Sequence, residues 1–362
     1  MRDWVPDRPL PPHIGLIMPD TDLPIPRAAP RPETWIRTTP AGLYCEPGDF
    51  YIDPSQPVPR AVVTHGHGDH ARSGNGAVLA TRETIAIMQA RYGEGAGTAL
   101  QTLAYDEILT IGAVTLRLSP AGHILGSAQI VLDYRGSRVV VSGDYKRRSD
   151  PTCAPFEPQN CDVFITEATF GLPVFRHPSE TLEIDKLLHS LTLFPERCHL
   201  VGVYVLGKCQ RILALLRRAG YEEPVYLHGA LLGLTELYEH MGVMLGPVLP
   251  ATGVPREALR GRVVLAPPSA AAEPWSRRLP DPLVAQASGW MRVRQRAKAS
   301  GVELPLVISD HADWDELTQT LDDVAAAEIW VTHGREEALV HYARQKGYRA
   351  RALAVAGFDE DE

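Results

Sequence analysis

The sequence predicts an α/β fold with a ligand site at the carboxyl ends of its strands, and two patterns carry that expectation. Apolar runs of strand length recur, each leading into a polar residue: RAVVT before His65, RVVVSG before Asp144, CDVFIT before Glu167, LVGVYVLG before Lys208, LPLVISD before His311 and EIWVT before His333. Between them lie apolar positions at helical spacing, as in Cys209, Ile212, Leu213 and Leu216, or Leu317, Leu321 and Val324. Strands alternating with helices build layered sheets, and ligands collect where the strands end because side chains from several turns converge there.

A chain of 362 residues has room for one large domain or two modest ones with a buried core. Its 44% apolar and 22% charged residues exclude a disordered or collagen-like chain. No apolar stretch approaches the roughly 18 residues of a membrane span. The first 40 residues are rich in proline and poor in periodicity, which predicts an extended lead-in. The N-terminus has no signal-peptide pattern, and Cys45, Cys153, Cys161, Cys198 and Cys209 are scattered and odd in number. A reduced, cytoplasmic protein without a cysteine-built zinc site is expected.

The segment THGHGDHA places His65, His67, Asp69 and His70 directly after a β-branched strand. Alternate histidines can share one ion while Asp69 and His70, one turn on, face a second, and Gly66 and Gly68 let the backbone turn between them. An exposed polar turn is the other reading, but it does not explain the anchoring to an apolar strand. His123 in SPAGHILGS, Asp144 in VVVSGDY and His333 in WVTHGRE are the candidates that complete two coordination spheres. A donor set of imidazole and carboxylate without thiolate suits Zn(II), with Mn(II) as a substitute.

Taken together these motifs resemble the five-motif pattern of the metallo-β-lactamase superfamily, whose first motif matches Asp53 in DFYIDPSQ. The resemblance implies an αββα sandwich. It also implies two divalent ions, one held by His65, His67 and His123 and the other by Asp69, His70 and His333, with Asp144 between them and Asp53 orienting a ligand from behind. The long separation of Asp144 from His333 implies an insertion, expected as an α/β cap over residues 178–304, with residues 41–177 and 305–362 forming the catalytic domain.

That layout resembles the β-CASP nucleases, whose additional motifs match Glu167 in ITEATFG, His311 in ISDHADW and His333. The implied role of His311 is to protonate or stabilise the leaving 3′ oxygen while Glu167 holds its ring. SGDYKRRSDPTCAPFEP and TEATFGLPVFRHP resemble most closely the bacterial DNA-ligase-associated exonucleases, relatives of the Artemis type. The resemblance implies a DNA exonuclease leaning toward 5′ ends, in a repair setting with an ATP-dependent ligase and a helicase. An RNA endo- or exonuclease of the same group is the alternative.

The net charge of −8 argues against a nucleic-acid partner, although two divalent ions would add about four positive charges where the substrate sits. Lys208, at an expected helix start, is a phosphate-binding candidate or a solvated lysine. The GxxxxGK spacing around it lacks both the glycine-rich loop and the Ser or Thr of a P-loop. Arg292 and Arg294 in GWMRVRQRAK could track a nucleic-acid backbone or line the exposed face of an edge strand.

Overall fold

The computed structural model describes residues 29–353. Residues 1–28, most of the expected lead-in, lie outside the described residues. The chain enters a sheet at once: β1 (Ile36–Thr39), β2 (Gly42–Cys45), β3 (Phe50–Ile52), β4 (Arg60–Val62), β5 (Ala77–Ala80) and β6 (Ala99–Thr102) lie side by side in that order. The first pairings are antiparallel and those from β3 onward parallel. Because β1 begins at Ile36, the folded body starts earlier than the expected boundary at residue 41. Helix α1 (Arg82–Tyr92), capped by the Thr81 hydroxyl accepting from the Thr84 N–H, covers the outer face through Ile85 and Met88.

A second sheet follows with β7 (Ile108–Ile111), β8 (Val114–Pro120), β9 (Ala128–Tyr134), β10 (Ser137–Val141) and β11 (Val163–Ala168). The chain then leaves for α2 (Glu180–Leu193), β12 (His199–Gly202), α3 (Lys208–Arg218), β13 (Val225–Leu227), α4 (Gly229–His240), β14 (Val248–Pro250), β15 (Val263–Ala266), β16 (Leu283–Ala287), α5 (Arg294–Ala299) and β17 (Leu304–Leu306). It returns through α6 (Trp314–Val324), β18 (Glu328–Gly334), α7 (Glu336–Gln345) and β19 (Arg349–Ala352). The second sheet has the order β19-β18-β11-β10-β9-β8-β7, so β18 returns beside β11 in parallel. The inserted unit holds a wholly parallel sheet, β14-β13-β15-β12-β16-β17.

Side-chain alternation explains the layers. Val139 and Val141 of β10 face the first sheet, whereas Val140 faces α6 and α7. Ile130 and Leu132 of β9 point one way and Val131 the other. A strand buried on both faces must be apolar at every position, which is why RVVVSG shows no alternation in sequence. The result is the αββα sandwich: α1, two facing sheets, then α6 and α7. Cys209, Ile212, Leu213 and Leu216 are buried on α3 against the inserted sheet. Leu317, Leu321 and Val324 are buried on α6 against the second sheet.

Three local expectations change. The LVGVYVLG run is a strand only to Gly202, after which residues 203–207 form a loop that reaches the histidine cluster. β17 pairs with β16, so the inserted unit extends to Leu306, two residues past the expected end at 304. The GWMRVRQRAK stretch is not an edge strand: Gly289–Arg292 form a 3-10 turn leading into α5. There Trp290 is anchored among Phe170 and Phe175, and the Arg296 guanidinium lies 4.2 Å from its ring centroid. Among the described residues no helix is long and apolar enough to cross a membrane.

Leu132 is fully buried between the two sheets. Leu132→Ala is expected to lower stability by about 2–5 kcal/mol, read as a shift in the denaturant midpoint; an unchanged midpoint would contradict the packing described.

Candidate metal centre

Val62 ends β4, and the next turns deliver His65, His67, Asp69 and His70 into the mouth between the sheets and the inserted unit. The turn is tight against α1. A Cβ at Gly66 would sit 2.6 Å from Ile87 Cγ2, and Arg91 Nη1 donates to the Gly66 carbonyl at 2.7 Å. His123 follows β8, Asp144 follows β10, and His333 lies near the end of β18. Asp53 and His333 both have left-handed backbones, φ 43° and 58°. Strain of that kind persists only where surrounding contacts enforce it, and it concentrates at functional sites.

The ring nitrogens converge. His67 Nδ1 lies 3.1 Å from His65 Nε2 and 3.0 Å from His123 Nε2, and Asp144 Oδ2 lies 3.4 Å from His65 Nε2. Asp144 is also met by His70 Nε2, 3.2 Å from the same Oδ2, and by His333 Nδ1, 3.9 Å from Oδ1. Asp69, with about a third of its side chain exposed, places Oδ2 3.6 Å from His70 Nε2. Among the described residues Asp144 thus sits in three groups of candidate ligand atoms: with His65, His67 and His123, with His70 and His333, and with Glu167 and His311.

The tautomers follow from what lies behind each ring. His67 Nε2 donates to the Leu206 carbonyl at 3.2 Å and His123 Nδ1 to the Asp310 carbonyl at 2.9 Å. The Thr64 hydroxyl donates to Asp53 Oδ2 at 2.6 Å and so accepts from His65 Nδ1 at 3.0 Å. His70 Nδ1 donates to the same Asp53 oxygen at 2.8 Å, while Asp53 Oδ1 accepts the Thr64 N–H at 2.8 Å. Carbonyls and carboxylates only accept, so in each neutral ring the proton is behind and the lone pair faces the cluster.

Burial pushes the His65, His67 and His123 imidazoles below their ordinary value, which keeps them neutral. Burial also opposes charge on His70, but Asp144, Asp69 and Asp53 outweigh it and push that ring well above its ordinary value, a bias toward positive charge at this position. For Asp144, burial would raise the carboxyl, yet His70 and His311 hold it well below the usual carboxylate range. Three neutral lone pairs aimed at one point, beside carboxylates that demand positive charge, fit a bound cation. Nitrogens about 2.0–2.1 Å from one tetrahedral centre lie roughly 3.3 Å apart, close to the separations here.

His311 stands at the edge of this cluster, its ring centroid 4.6 Å from that of His123. Glu167, fully buried at the end of β11, receives His311 Nδ1 at 3.0–3.1 Å and the Tyr145 N–H at 2.8 Å. The exposed guanidinium-bearing residues Arg292 and Arg294 lie on the turn and helix that follow the anchored Trp290, and Trp290 packs on Phe170, 6.2 Å from His311 between ring centroids.

Lys208 begins α3, as expected, but is 2% exposed and its ammonium lies 3.0 Å from Asp310 Oδ2. It is neither solvated nor presented to a phosphate. The sequence reading missed the network to which it belongs. Arg211, fully buried, reaches Asp310 Oδ1 at 3.0 Å, Asp150 Oδ2 at 3.2 Å and Glu180 Oε1 at 3.3 Å, and Lys146 reaches Glu180 Oε1 at 2.9 Å. Its one sequence signal was Arg211 itself, a charge between Gln210 and Ile212 on a helix whose apolar face is buried.

Residues 53–200 match the model of the metallo-β-lactamase superfamily. A probable DNA ligase of Opitutus terrae is 29% identical over 328 residues, covering 86% of this chain and 30% of that protein. A ribonuclease of Thermus thermophilus is 30% identical over 212 residues, 51% of this chain and 49% of the relative. An RNase J-like protein of Methanocaldococcus jannaschii is 24% identical, covering 54% of this chain and 53% of its own length. The chain therefore spans from about a third to about half of the length of these curated relatives. In fold it is similar to an Enterococcus faecalis protein of unknown function, with a TM-score of 0.54 at 12% identity over 83% of this chain and 80% of that one.

Asp144 borders both ligand groups, so Asp144→Ala is expected to release metal from both. Elemental analysis of the purified variant should then find little transition metal per protein, and wild-type content would refute the central position given to this carboxylate.

Proposed function

We propose, from the premise that this chain carries a metallo-β-lactamase domain with a parallel-sheet unit inserted into it, that it is a metal-dependent nuclease. The reaction is hydrolysis of a phosphodiester bond in DNA, from an end and with a lean toward 5′ ends. The observation that carries this reading is the convergence of His65, His67, His123, His70 and His333 on Asp144, with the His311–Glu167 pair beside them. His65, His67, His123 and Asp144 would hold one divalent ion, and Asp69, His70, His333 and Asp144 the other. Zn(II) suits that donor set and Mn(II) is the substitute. When bound, such ions lower the pKa of a water and offset the charge of the phosphate under attack.

The remaining work falls to the protein. Asp53 fixes His65 through Thr64 and fixes His70 directly, so one buried carboxylate keeps two rings turned toward the cluster. Asp69, the most exposed carboxylate of the set, stands where it can orient an incoming water. His311 gives its ring proton to the departing 3′ oxygen. Glu167 locks Nδ1 in the protonated form and stabilises the imidazolium before that transfer. Arg292 and Arg294 are proposed to meet the backbone of the strand, whereas Lys208 has no such part because Asp310 takes its charge.

DNA is preferred over RNA because the ligase-named relative matches 86% of this chain, both units included, while the ribonuclease matches 51%. The name of that relative supports a link to a DNA ligase, and ATP dependence of that ligase, a repair setting and a helicase are proposed with it. Five free cysteines suit a reducing compartment such as the cytoplasm. An RNA endo- or exonuclease remains the second reading, supported by the ribonuclease-named relatives.

Two measurements test this. Labelled DNA and RNA with free 5′ or 3′ ends, incubated with Zn(II) or Mn(II), should give DNA shortened from the 5′ end; preferential loss of RNA would favour the second reading. His311→Ala should lower kcat by about 10²–10⁴-fold with bound metal retained, as loss of a proton donor predicts. Metal lost in step with activity would make His311 a ligand instead.

A further inference from the structure

Two of the three rings of the first ligand group are held with the help of the inserted unit, His67 directly and His123 through Asp310, which the ligand pattern alone does not require. His67 Nε2 donates to the carbonyl of Leu206, in the loop between β12 and α3. His123 Nδ1 donates to the carbonyl of Asp310, whose carboxylate is gripped by Lys208 Nζ and Arg211 Nη1, both at 3.0 Å and both on the first turn of α3. Arg211 Nη1 also donates to the Ser309 carbonyl at 2.9 Å, and Lys146 donates to the same oxygen. Residues 309–310, which support His123 and lead into His311, are therefore clamped between α3 and the catalytic body.

The loop is tightly seated. Gly207 has φ 89°, and a Cβ there would lie 2.4 Å from Ile124 Cγ2, next to His123. Arg211 extends the clamp to Asp150 of the body and to Glu180 on α2, where Lys146 of the body also ends. By contrast His65 and His70 take their second bonds from Thr64 and Asp53, within the body.

We infer that the inserted unit is a structural part of the first metal site: the 203–207 loop and the first turn of α3 orient His67 and His123, so the docking of this unit sets the affinity of one ion and not the other. Lys208, Arg211 and Gly207 are positioning residues in this arrangement, acting through carbonyls that fix two imidazoles. The inference rests on the reading that His65, His67 and His123 hold an ion.

The test uses the full chain, stripped of metal and titrated with Co(II) and with Zn(II) against a chromogenic chelator. His65→Ala and His333→Ala assign the two binding steps. In Lys208→Met and in Gly207→Ala the step assigned to His65 should weaken about ten- to hundred-fold, with an altered Co(II) absorption band, while the His333 step is unchanged. Gly207→Ala leaves the buried charges intact, so it decides the matter if Lys208→Met does not fold. Equal weakening of both steps, or no change in either, overturns the inference and leaves the metal reading standing. A wild-type chain that binds no ion removes both.

Discussion

Three neutral imidazoles are made to aim their lone pairs at one point, and the rest of the molecule is arranged to keep them there. His65, His67 and His123 each have their outward nitrogen committed to an acceptor, and the inward nitrogens of His65 and His123 both lie within 3.1 Å of His67 Nδ1. Lone pairs so placed repel unless something positive sits between them. Burial denies the rings that charge as a proton, since desolvation disfavours the imidazolium, so the economical solution is a cation from solution. Next to it the opposite bias holds: at His70 the carboxylates of Asp144, Asp69 and Asp53 outweigh burial and favour positive charge, which a cation on its Nε2 would supply in place of a proton.

Holding such a cluster demands a rigid frame. Each ligand leaves the end of a strand in one of two facing sheets, and both sheets are buried on their inner faces by Phe50, Ile52, Ile130, Leu132, Ile165 and Trp330. Interiors packed this closely transmit displacement instead of absorbing it. Asp53 shows the economy of the design: from a strained backbone it fixes the Thr64 amide, the Thr64 hydroxyl and the His70 ring.

The ion network between the body and the inserted unit is the second costly feature. Arg211, Lys208, Lys146, Asp310, Asp150 and Glu180 are all buried. Burying charges is repaid only by good geometry, and a well-packed apolar substitute often gives equal or greater stability. What charges supply and hydrocarbon does not is direction. Here the direction is toward the carbonyl of Ser309 and the carboxylate of Asp310, whose own carbonyl holds His123 while the chain leads on to His311.

The sequence by itself determined the alternation of strands and helices and brought forward the candidate ligands. Strands buried on both faces must be apolar at every position, and ligands that cluster as His65, His67, Asp69 and His70 do need no long-range information to be recognised. It misjudged residues 203–207, where an apolar run read as strand and packing imposed a loop, and it left residues 289–298 open between a backbone-tracking segment and an edge strand where packing imposed a turn and a helix. Only the tertiary structure decided which way each ring faces, that Lys208 is buried against Asp310, and that Leu206 and Asp310 support ligands through their carbonyls. A backbone carbonyl is present at every position, so no residue type announces the one that will hold a histidine. That choice is made when distant segments pack.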